Sequence, residues 1–511
     1  MAKTAKVDSH QPGTWKNYHQ NVIEPVDTVY DIYNPLPLQS LADLQLTINA
    51  IQKLIQDAIT KKKRLRAVGG KWSLSHAAVT DGNLIQTNGG IAASYFLKDA
   101  DIHVAYGGPH GQLVYAQGGV SVMELNRRLK LNNLSLKAAG ASNGQTIAGA
   151  TATGTHGAAF AFGALHDAIV AVQIINSPTS VVWIERKTKP VVSQAFLTKM
   201  GSTLIQDDDL FKAVLVHVGC MGFVHGVVLE TEPLFLLNYL TVKKPLNASL
   251  LTAMSTFDPM EIGIATTKAY DNGDIGRLYH FEVIVNPNDI KSAWVRSMYK
   301  LPYRSDYKAP LQGGMGPGPD LLAQIGHLQD FGPGPIGTIL KLFSSKFLPD
   351  SSDVTGTFGE IFSATDPKGE GTSMEIGFDP INIPAIIDAL KKTTASEGAI
   401  ASFAGMRFVK ASEATIAFTR FAPITCTLEM LGVNNQTTQN YYDTLWNNLD
   451  SAGIPYTFHW GQVNNLTLAK TQQKYTAATL ANWKTQRAKI LSPEMIAVFS
   501  SPYSDQCGLT P

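Results

Sequence analysis

Three glycine-rich segments carry most of the chemistry this chain can do. Residues Gly140 to Gly157 read Gly-Ala-Ser-Asn-Gly-Gln-Thr-Ile-Ala-Gly-Ala-Thr-Ala-Thr-Gly-Thr-His-Gly, and only Asn143, Gln145 and His156 bring large polar side chains. Such small residues let a backbone lie against a flat ligand, and glycine admits dihedrals that other residues avoid. A second segment, Arg66-Ala-Val-Gly-Gly-Lys-Trp-Ser-Leu-Ser75, runs a short strand into Gly69-Gly70. The backbone N–H groups of such a turn, with the Ser73 and Ser75 hydroxyls, can cradle a pyrophosphate. The third, Val218-Gly-Cys-Met-Gly-Phe-Val-His-Gly-Val-Val-Leu-Glu230, is a Gly-x-x-Gly bend leading into a β-branched strand. Taken singly, each also reads as an ordinary turn or a tightly packed strand.

The elements that must position these segments follow from periodicity. Leu44, Ile48, Ile51, Ile55 and Ala58 have the spacing of one helix face. Lys61, Lys62, Lys63 and Arg64 suit the negative end of that helix. Leu65 to Val68 then reads as a strand, as does Leu113–Ala116, and Val122–Leu131 as a helix. Further on, His280–Val285 reads as a strand followed by a helix over Asp289–Tyr299. Met374–Phe378 and Ile383–Thr393 repeat the pair. Two strand–helix repeats suit an antiparallel sheet covered by helices.

In this order and at these separations the three segments resemble the flavin domain of the vanillyl-alcohol oxidase/PCMH family of FAD-dependent oxidoreductases. Its aldonolactone and alditol oxidase branch is nearest, with the sterol oxidases beside it. Thr80–Ile85 and Gly118–Asn126 are similar to the family's intervening turns. His459-Trp460-Gly461 and the Leu491–Tyr503 tail are similar to its closing segment. The resemblance covers residues 15 to 237 and returns at the C-terminus. It implies an α+β fold: an N-terminal arm (1–34), a two-subdomain PCMH-type FAD-binding domain (35–237), a cap or substrate domain with an antiparallel sheet covered by helices (238–455), and a segment returning to the FAD domain (456–511). Within the arm, Trp15 and Tyr18 can pin the chain to the flavin domain.

The resemblance further implies that Val68, Gly69, Gly70, Lys71, Trp72 and Ser73 bind the FAD diphosphate. Ala141, Ser142, Gln145, Thr146, Gly149, Thr153, Gly154, Thr155 and His156 line the diphosphate and the isoalloxazine. Gly222, Val227 and Val228 belong to the strand that closes over the flavin. Covalent members carry a histidine in the first loop where this chain has Trp72, which cannot form a histidyl–flavin bond. The implied FAD is therefore non-covalent, with His76 or His156 the residues left to make a link. The Trp72 indole can stack on the ring system or pack beneath it. Ala148 and Ala150 border the flavin in relatives and can gate oxygen.

Flavin supplies the redox step, so the protein must place a substrate C–H against the flavin N5 and handle the hydroxyl proton. In the related alditol and sterol oxidases a Glu-x-Arg pair on a cap strand does much of this. Here the corresponding run is Gly405-Met406-Arg407, which keeps the arginine and lacks the carboxylate. Glu429, in Cys426-Thr-Leu-Glu-Met430, can supply it, or can be an ordinary ion-pair partner of Arg407 or Arg420. The family's His-Trp-Gly-Lys reads His459-Trp460-Gly461-Gln462 here. His459 is a candidate base or hydrogen-bond donor, or a histidine satisfied by backbone; Asn464 and Asn465 can meet a polar substrate edge. The candidate catalytic set is His459, Arg407 and Glu429. Loss of the carboxylate and the lysine points away from a polyol or aldonolactone. The apolar residues Leu321 to Phe347, set among the Gly/Pro runs 313–319 and 332–337, read as a lid over a bulkier apolar alcohol, a subunit contact or a packed loop.

The expected activity is FAD-dependent oxidation of a CH–OH group by hydride transfer, with reoxidation by oxygen or another acceptor. The alternatives are a C–N, phenol or oxidative-cyclisation oxidase of a biosynthetic pathway, and a flavin-binding protein without turnover. Composition agrees with an enzyme of a small molecule. The 511 residues carry a net charge of +1 with no basic stripe, which leaves nucleic acid without a binding surface. No run approaches the roughly 20 apolar residues of a membrane span, and the first residues lack the apolar core of a secretory signal. Cys220, Cys426 and Cys507 lie far apart, without metal-ligand spacing. Odd in number, they fit reduced thiols and a cytoplasmic protein. No segment assigns an oligomeric state.

Overall fold

The structure, a computed structural model, describes residues 4–38, 40–310, 336–340, 351–362 and 371–510. Three main sheets build it. A four-stranded sheet runs in the order Lys6–His10, Thr28–Tyr33, Asn83–Gln86, Leu65–Val68. The helix Leu44–Thr60 precedes its last strand and buries Leu44, Ile48, Ile51, Leu54, Ile55 and Ala58. That is the face expected from the spacing, and the chain leaves it through Lys61 into Leu65–Val68. Burying each of the leucines and isoleucines contributes roughly 1.5–3 kcal/mol, which fixes the strand and hence the turn after Val68.

A six-stranded sheet follows in the order Thr203–Gln206, Ser180–Glu185, Ile169–Ser177, Phe223–Glu230, Leu113–Gln117, Ser94–Phe96. The helix Val122–Leu131 is capped by Ser121, whose hydroxyl accepts from the Glu124 N–H. A nine-stranded sheet is built from residues between Phe235 and Phe458. Its main path runs Ser351–Thr357, Phe235–Pro245, Ser292–Pro302, Ile275–Val285, Ala404–Lys410, Ile424–Val433, Gly371–Phe378, Tyr456–Phe458, and every neighbouring pair is antiparallel.

Alternation along this third sheet sorts its residues into two faces. Met374, Ile376, Met406, Leu428 and Met430 share one face and are fully buried. The helices Ile383–Glu397 and Gln436–Ser451 pack together, and the Tyr442 hydroxyl of the second donates to the Met430 carbonyl at 2.6 Å. Glu282, Glu375, Arg407 and Glu429 take the opposite face. A one-residue slip of any strand would turn its charged residue into the apolar layer.

One expected element is of the wrong type. Residues 289–299 read as a helix, yet Ser292–Pro302 is a strand paired antiparallel with Ile275–Val285, Val283 opposite Val295. The run is buried nearly throughout, and an apolar stretch without a polar stripe does not distinguish helix from buried strand. The turn before it decides the outcome, with Asn286 accepting from the N–H groups of Asn288 and Asp289. Most of the Gly/Pro-rich apolar segment lies outside the described residues. Within it, Ile336 and Leu340 pack on Ile284, Trp294 and Ala401. Among the described residues no helix is long and apolar enough to cross a membrane, and all three cysteines are free and buried.

Candidate active site

A cleft runs between the turn after Leu65–Val68 and the Gly140–Thr146 loop, and ends on the charged face of the nine-stranded sheet. The two loops meet backbone to backbone. A Cβ on Gly69 would lie 1.9 Å from the Thr146 hydroxyl oxygen, and one on Gly70 would lie 2.5 Å from the Gly144 carbonyl. Only glycine permits that approach. Thr146 also caps the short helix Ile147–Thr153, its side chain accepting from the Gly149 N–H, and Gly154 closes the helix at φ 91°. The first N–H groups of that helix are taken by the carbonyls of Val120 and Gly118, so they do not face a ligand.

The free donors are elsewhere. The N–H groups of Gly70, Lys71, Trp72 and Ser73 bond to no acceptor among the described residues, nor do those of Ala141 and Ser142. The buried Gln145 side-chain oxygen is unpartnered as well. Arg66 stands at the same cleft, fully buried, with its guanidinium on the carbonyls of Ala77, Val218 and Gly219 and no carboxylate beside it among the described residues. A buried cation without a counter-ion and a row of free N–H groups form a place for an anion. Val218 borders it at φ 49°, a strained position for a β-branched residue. These donors fit a diphosphate.

At the other end Arg407, on the Ala404–Lys410 strand, holds three carboxylates. Its Nη2 is 2.5 Å from Glu429, its Nε 3.0 Å from Glu282 and its Nη1 3.5 Å from Glu375. Arg296 closes on the far oxygen of Glu282 at 2.8 Å. Gly405 stands where the family resemblance implies a glutamate; its missing Cβ would sit 3.6 Å from a Glu282 oxygen. The carboxylate absent from that strand therefore comes from the neighbouring ones. Glu429 is the ion-pair partner of Arg407 and also lines the cleft, whereas Arg420 bonds to the Tyr475 carbonyl.

Glu375 and Glu429 face each other directly across adjacent strands. Burial opposes ionisation of Glu375, but the His156 ring, with His459 and Arg407, holds its carboxyl down at about 2. Burial pushes Glu429 above the ordinary carboxylate range, and Glu375 adds to this against the pull of Arg407. Like carboxyls sharing a site divide in this way. The second oxygen of Glu429 accepts from Gln462 and Ser373, both at 3.3 Å.

Both histidines of the expected site are present. His156 sets Nδ1 against the Gly157 carbonyl at 2.7 Å and Nε2 against Glu375 at 2.8 Å, so both ring nitrogens face acceptors. His459 Nδ1 accepts from the Gly461 N–H at 3.0 Å, which leaves the ring proton on Nε2. Burial lowers His459 to about 4, against Glu375. At neutral pH it is an uncharged donor.

Of the residues expected from sequence, Val68 through Ser73, Ala141, Ser142, Gln145, Thr146, Gly149, Thr153, Thr155, His156, Arg407, Glu429 and His459 line the cleft. Gly154, Gly222, Val227 and Val228 do not: Gly154 ends a helix, Gly222 packs on Ile174, and the two valines sit in the buried Phe223–Glu230 strand. Val218 and Gly219 take that wall instead. His76 pairs with Glu24 on the surface, and Asn464 bonds to Tyr503. Glu282, Glu375 and Arg66 were not expected. Each glutamate carries a signal, a single charge inside an apolar strand run: Phe281-Glu-Val283 and Met374-Glu-Ile376.

Residues 46–185 match the family described as an FAD binding domain. Over 185 residues the chain is 29% identical to an L-gulono-1,4-lactone dehydrogenase of Mycobacterium tuberculosis, covering 36% of each chain. Over 192 residues it is 26% identical to a D-arabinono-1,4-lactone oxidase of Debaryomyces hansenii, covering 37% of this chain and 31% of that one. The match thus spans about a third of these relatives' length. In three dimensions the chain is similar to the cholesterol oxidase from Brevibacterium sterolicum, with a TM-score of 0.67 over 99% of this chain and 98% of that one at 14% identity. A solvent-stable cholesterol oxidase gives 0.68 over 98% of both chains at 16% identity. The fold is the mixed α and β one expected, and the chain carries an FAD-binding domain with FAD as its cofactor.

Proposed function

We propose that this FAD-binding chain is an oxidoreductase that converts a CH–OH group to a carbonyl, with oxygen or another acceptor taking the electrons afterwards. FAD held in this cleft would supply the two-electron acceptor, flavin N5, for a hydride lost from the substrate carbon. The free N–H groups of Gly70–Ser73 and the buried Arg66 would hold the diphosphate, and Trp72, which cannot make a histidyl bond, would leave the cofactor non-covalent. His76 pairs with Glu24 away from the cleft, and both ring nitrogens of His156 are engaged.

The observation that carries the reading is the divided carboxyl pair on Arg407. Glu375 stays ionised, while Glu429, pushed up, is poised to exchange a proton at the cleft. Glu429 takes the hydroxyl proton as the C–H electron pair leaves, and His459 Nε2–H donates to the substrate oxygen. Arg407 touches the carboxylates and fixes their positions. The balance is one hydride to the cofactor and one proton to Glu429 for each carbonyl formed. Lactone-active relatives and sterol-oxidase neighbours bracket the substrate as a hydroxylated ring compound. Gln462, uncharged, favours a neutral, bulkier alcohol over an anionic one. Three buried, unbridged cysteines fit a cytoplasmic chain.

The test is a panel of neutral cyclic alcohols, with matched amines and phenols, incubated with oxygen or an artificial acceptor. Carbonyl product from an alcohol is expected. Turnover confined to amines, phenols or substrates without a free hydroxyl would replace the proposal with another flavin oxidation. A bound flavin that no candidate reduces would point to a protein without turnover.

A further inference from the structure

The N-terminal arm reaches the cofactor cradle and holds it from behind. The strands Gly13–Lys16 and Ile23–Val26 form a hairpin whose base is set by Trp15, buried with Val68 and Leu84. Its tip closes on itself, Asn17 N–H donating to the Val22 carbonyl at 3.1 Å and Val22 N–H to the Asn17 side chain at 3.1 Å. From this tip three donors take carbonyls of the cradle turn. Tyr18 N–H bonds to the Lys71 carbonyl at 2.7 Å, the Asn17 amide to the Ser73 carbonyl at 2.9 Å and the Asn21 amide to the Leu74 carbonyl at 2.9 Å.

The same tip holds Trp72. The Tyr18 ring stacks on the indole, centroids 4.8 Å apart and planes within 8°. His19 meets the indole edge-on. Across the indole lies the second loop, so close that a Cβ on Gly144 would be 2.6 Å from it. Trp72 is therefore held between the arm and the Gly140–Thr146 loop. Of the three clasped carbonyls, that of Lys71, a residue at φ 63°, shares its peptide with the free Trp72 N–H, while those of Ser73 and Leu74 share theirs with the N–H groups of Leu74 and Ser75, which bond to the Gly461 carbonyl and tie the end of the turn to the His459–Gly461 segment. A peptide has its C=O and the next residue's N–H on opposite sides, so the bond from Tyr18 to the Lys71 carbonyl aims the Trp72 N–H away from the arm, and the other two bonds hold the end of the turn in place.

We infer that the hairpin tip is a clasp on the FAD cradle: Asn17, Tyr18 and Asn21 are positioning residues that set how long a non-covalently held cofactor stays bound. This rests on the reading of FAD as non-covalent. The clasp does for the loop what a covalent tether does for the cofactor. It keeps the binding conformation formed, so that the ligand meets an ordered site.

The holoprotein tests this by dilution, with FAD release followed through the rise of free-flavin fluorescence. Tyr18→Ala and the double variant Asn17→Ala/Asn21→Ala are expected to release FAD about ten-fold faster than the parent. Tyr18→Phe, which keeps the stack, and Lys16→Ala, elsewhere in the hairpin, are expected to hold it as the parent does. Release from the first two variants at the parental rate would overturn the clasp. So would an equal loss of melting temperature in the apo-proteins, which would make the arm a folding element. Acid precipitation of the parent is read separately, and flavin left in its pellet would defeat the non-covalent reading itself and the clasp with it.

Discussion

Arg407 concentrates the energetics of the site in one side chain. Three carboxylates within 3.5 Å depend on it, and all lie in or under the sheet face that ends the cleft. Arg407→Met leaves buried charges uncompensated and should cost about 3–5 kcal/mol of stability, read from urea midpoints. Arg407→Lys should rescue little, because one ammonium cannot replace a planar fork with several directed donors. Glu429→Gln is the opposite case. It should keep the flavin spectrum and lower kcat by about 100-fold or more. The pH dependence has a fixed sign. Glu429 is pushed up, so its proton-accepting form fills as pH rises, and kcat/KM should climb to a plateau. Glu429→Gln should erase that limb, and an unchanged profile would remove Glu429 from the mechanism. His459, at about 4, is already neutral across that range and should add no inflection there. Sequence makes Arg407, His459 and Trp72 visible through their motif positions, and Glu429 only as a carboxylate in a neighbouring strand-like run. Glu375 and Glu282 have no motif, only a charge where an apolar strand has no need of one.

At the scale of elements the cradle depends on two loops touching through glycine. Gly69→Ala places a Cβ 1.9 Å from the Thr146 hydroxyl, and overpacking of this kind costs about 1–3 kcal/mol. The loops must separate, and FAD affinity measured by flavin fluorescence should fall about ten-fold or more. Gly107→Ala, where nothing lies within 4 Å, should leave affinity unchanged. A Gly69→Ala protein that binds as the parent does would mean that the loop contact plays no part in the site. The elements behind the cradle were legible, because Leu44–Thr60 and Val122–Leu131 each carry a clear helical stripe. Ser292–Pro302 was not, since a strand buried on both faces loses the alternation that would identify it. The Gly-x-x-Gly wall was legible in kind but shifted, for the cleft is met by Val218 and Gly219 at the bend and not by the strand after it.

Across the whole molecule, burial sets the response to acid. Burial lowers His19 and His459 to about 4 and His217 and His225 to about 3, with Arg66 adding to the effect at His217. Each is uncharged when folded and takes a proton near 6.5 when unfolded, so the unfolded state binds more protons between those values. Stability is therefore complete above about pH 6.5 and falls as pH drops, by up to about 1.4 kcal/mol per pH unit for each histidine. Glu375, held down at about 2, acts lower, its contribution being lost from its ordinary value near 4.5 downward. Urea midpoints should decline between pH 7 and 5, and a flat profile would contradict the burial of neutral imidazoles. The assembly itself was not legible, and resemblance reached only Arg407 within it: Glu282, Glu375, Arg407 and Glu429 come from four separate strands, and no local period unites them. Under the proposed function, their meeting at the end of the cleft gives a cofactor-binding fold its catalytic groups. It is tested most directly by anaerobic mixing of the holoprotein with a neutral cyclic alcohol while the visible flavin band is recorded. The prediction is bleaching by the alcohol in the parent and its slowing by about 100-fold or more in Glu429→Gln; equal bleaching in both proteins, or bleaching by amines and phenols alone, would contradict it.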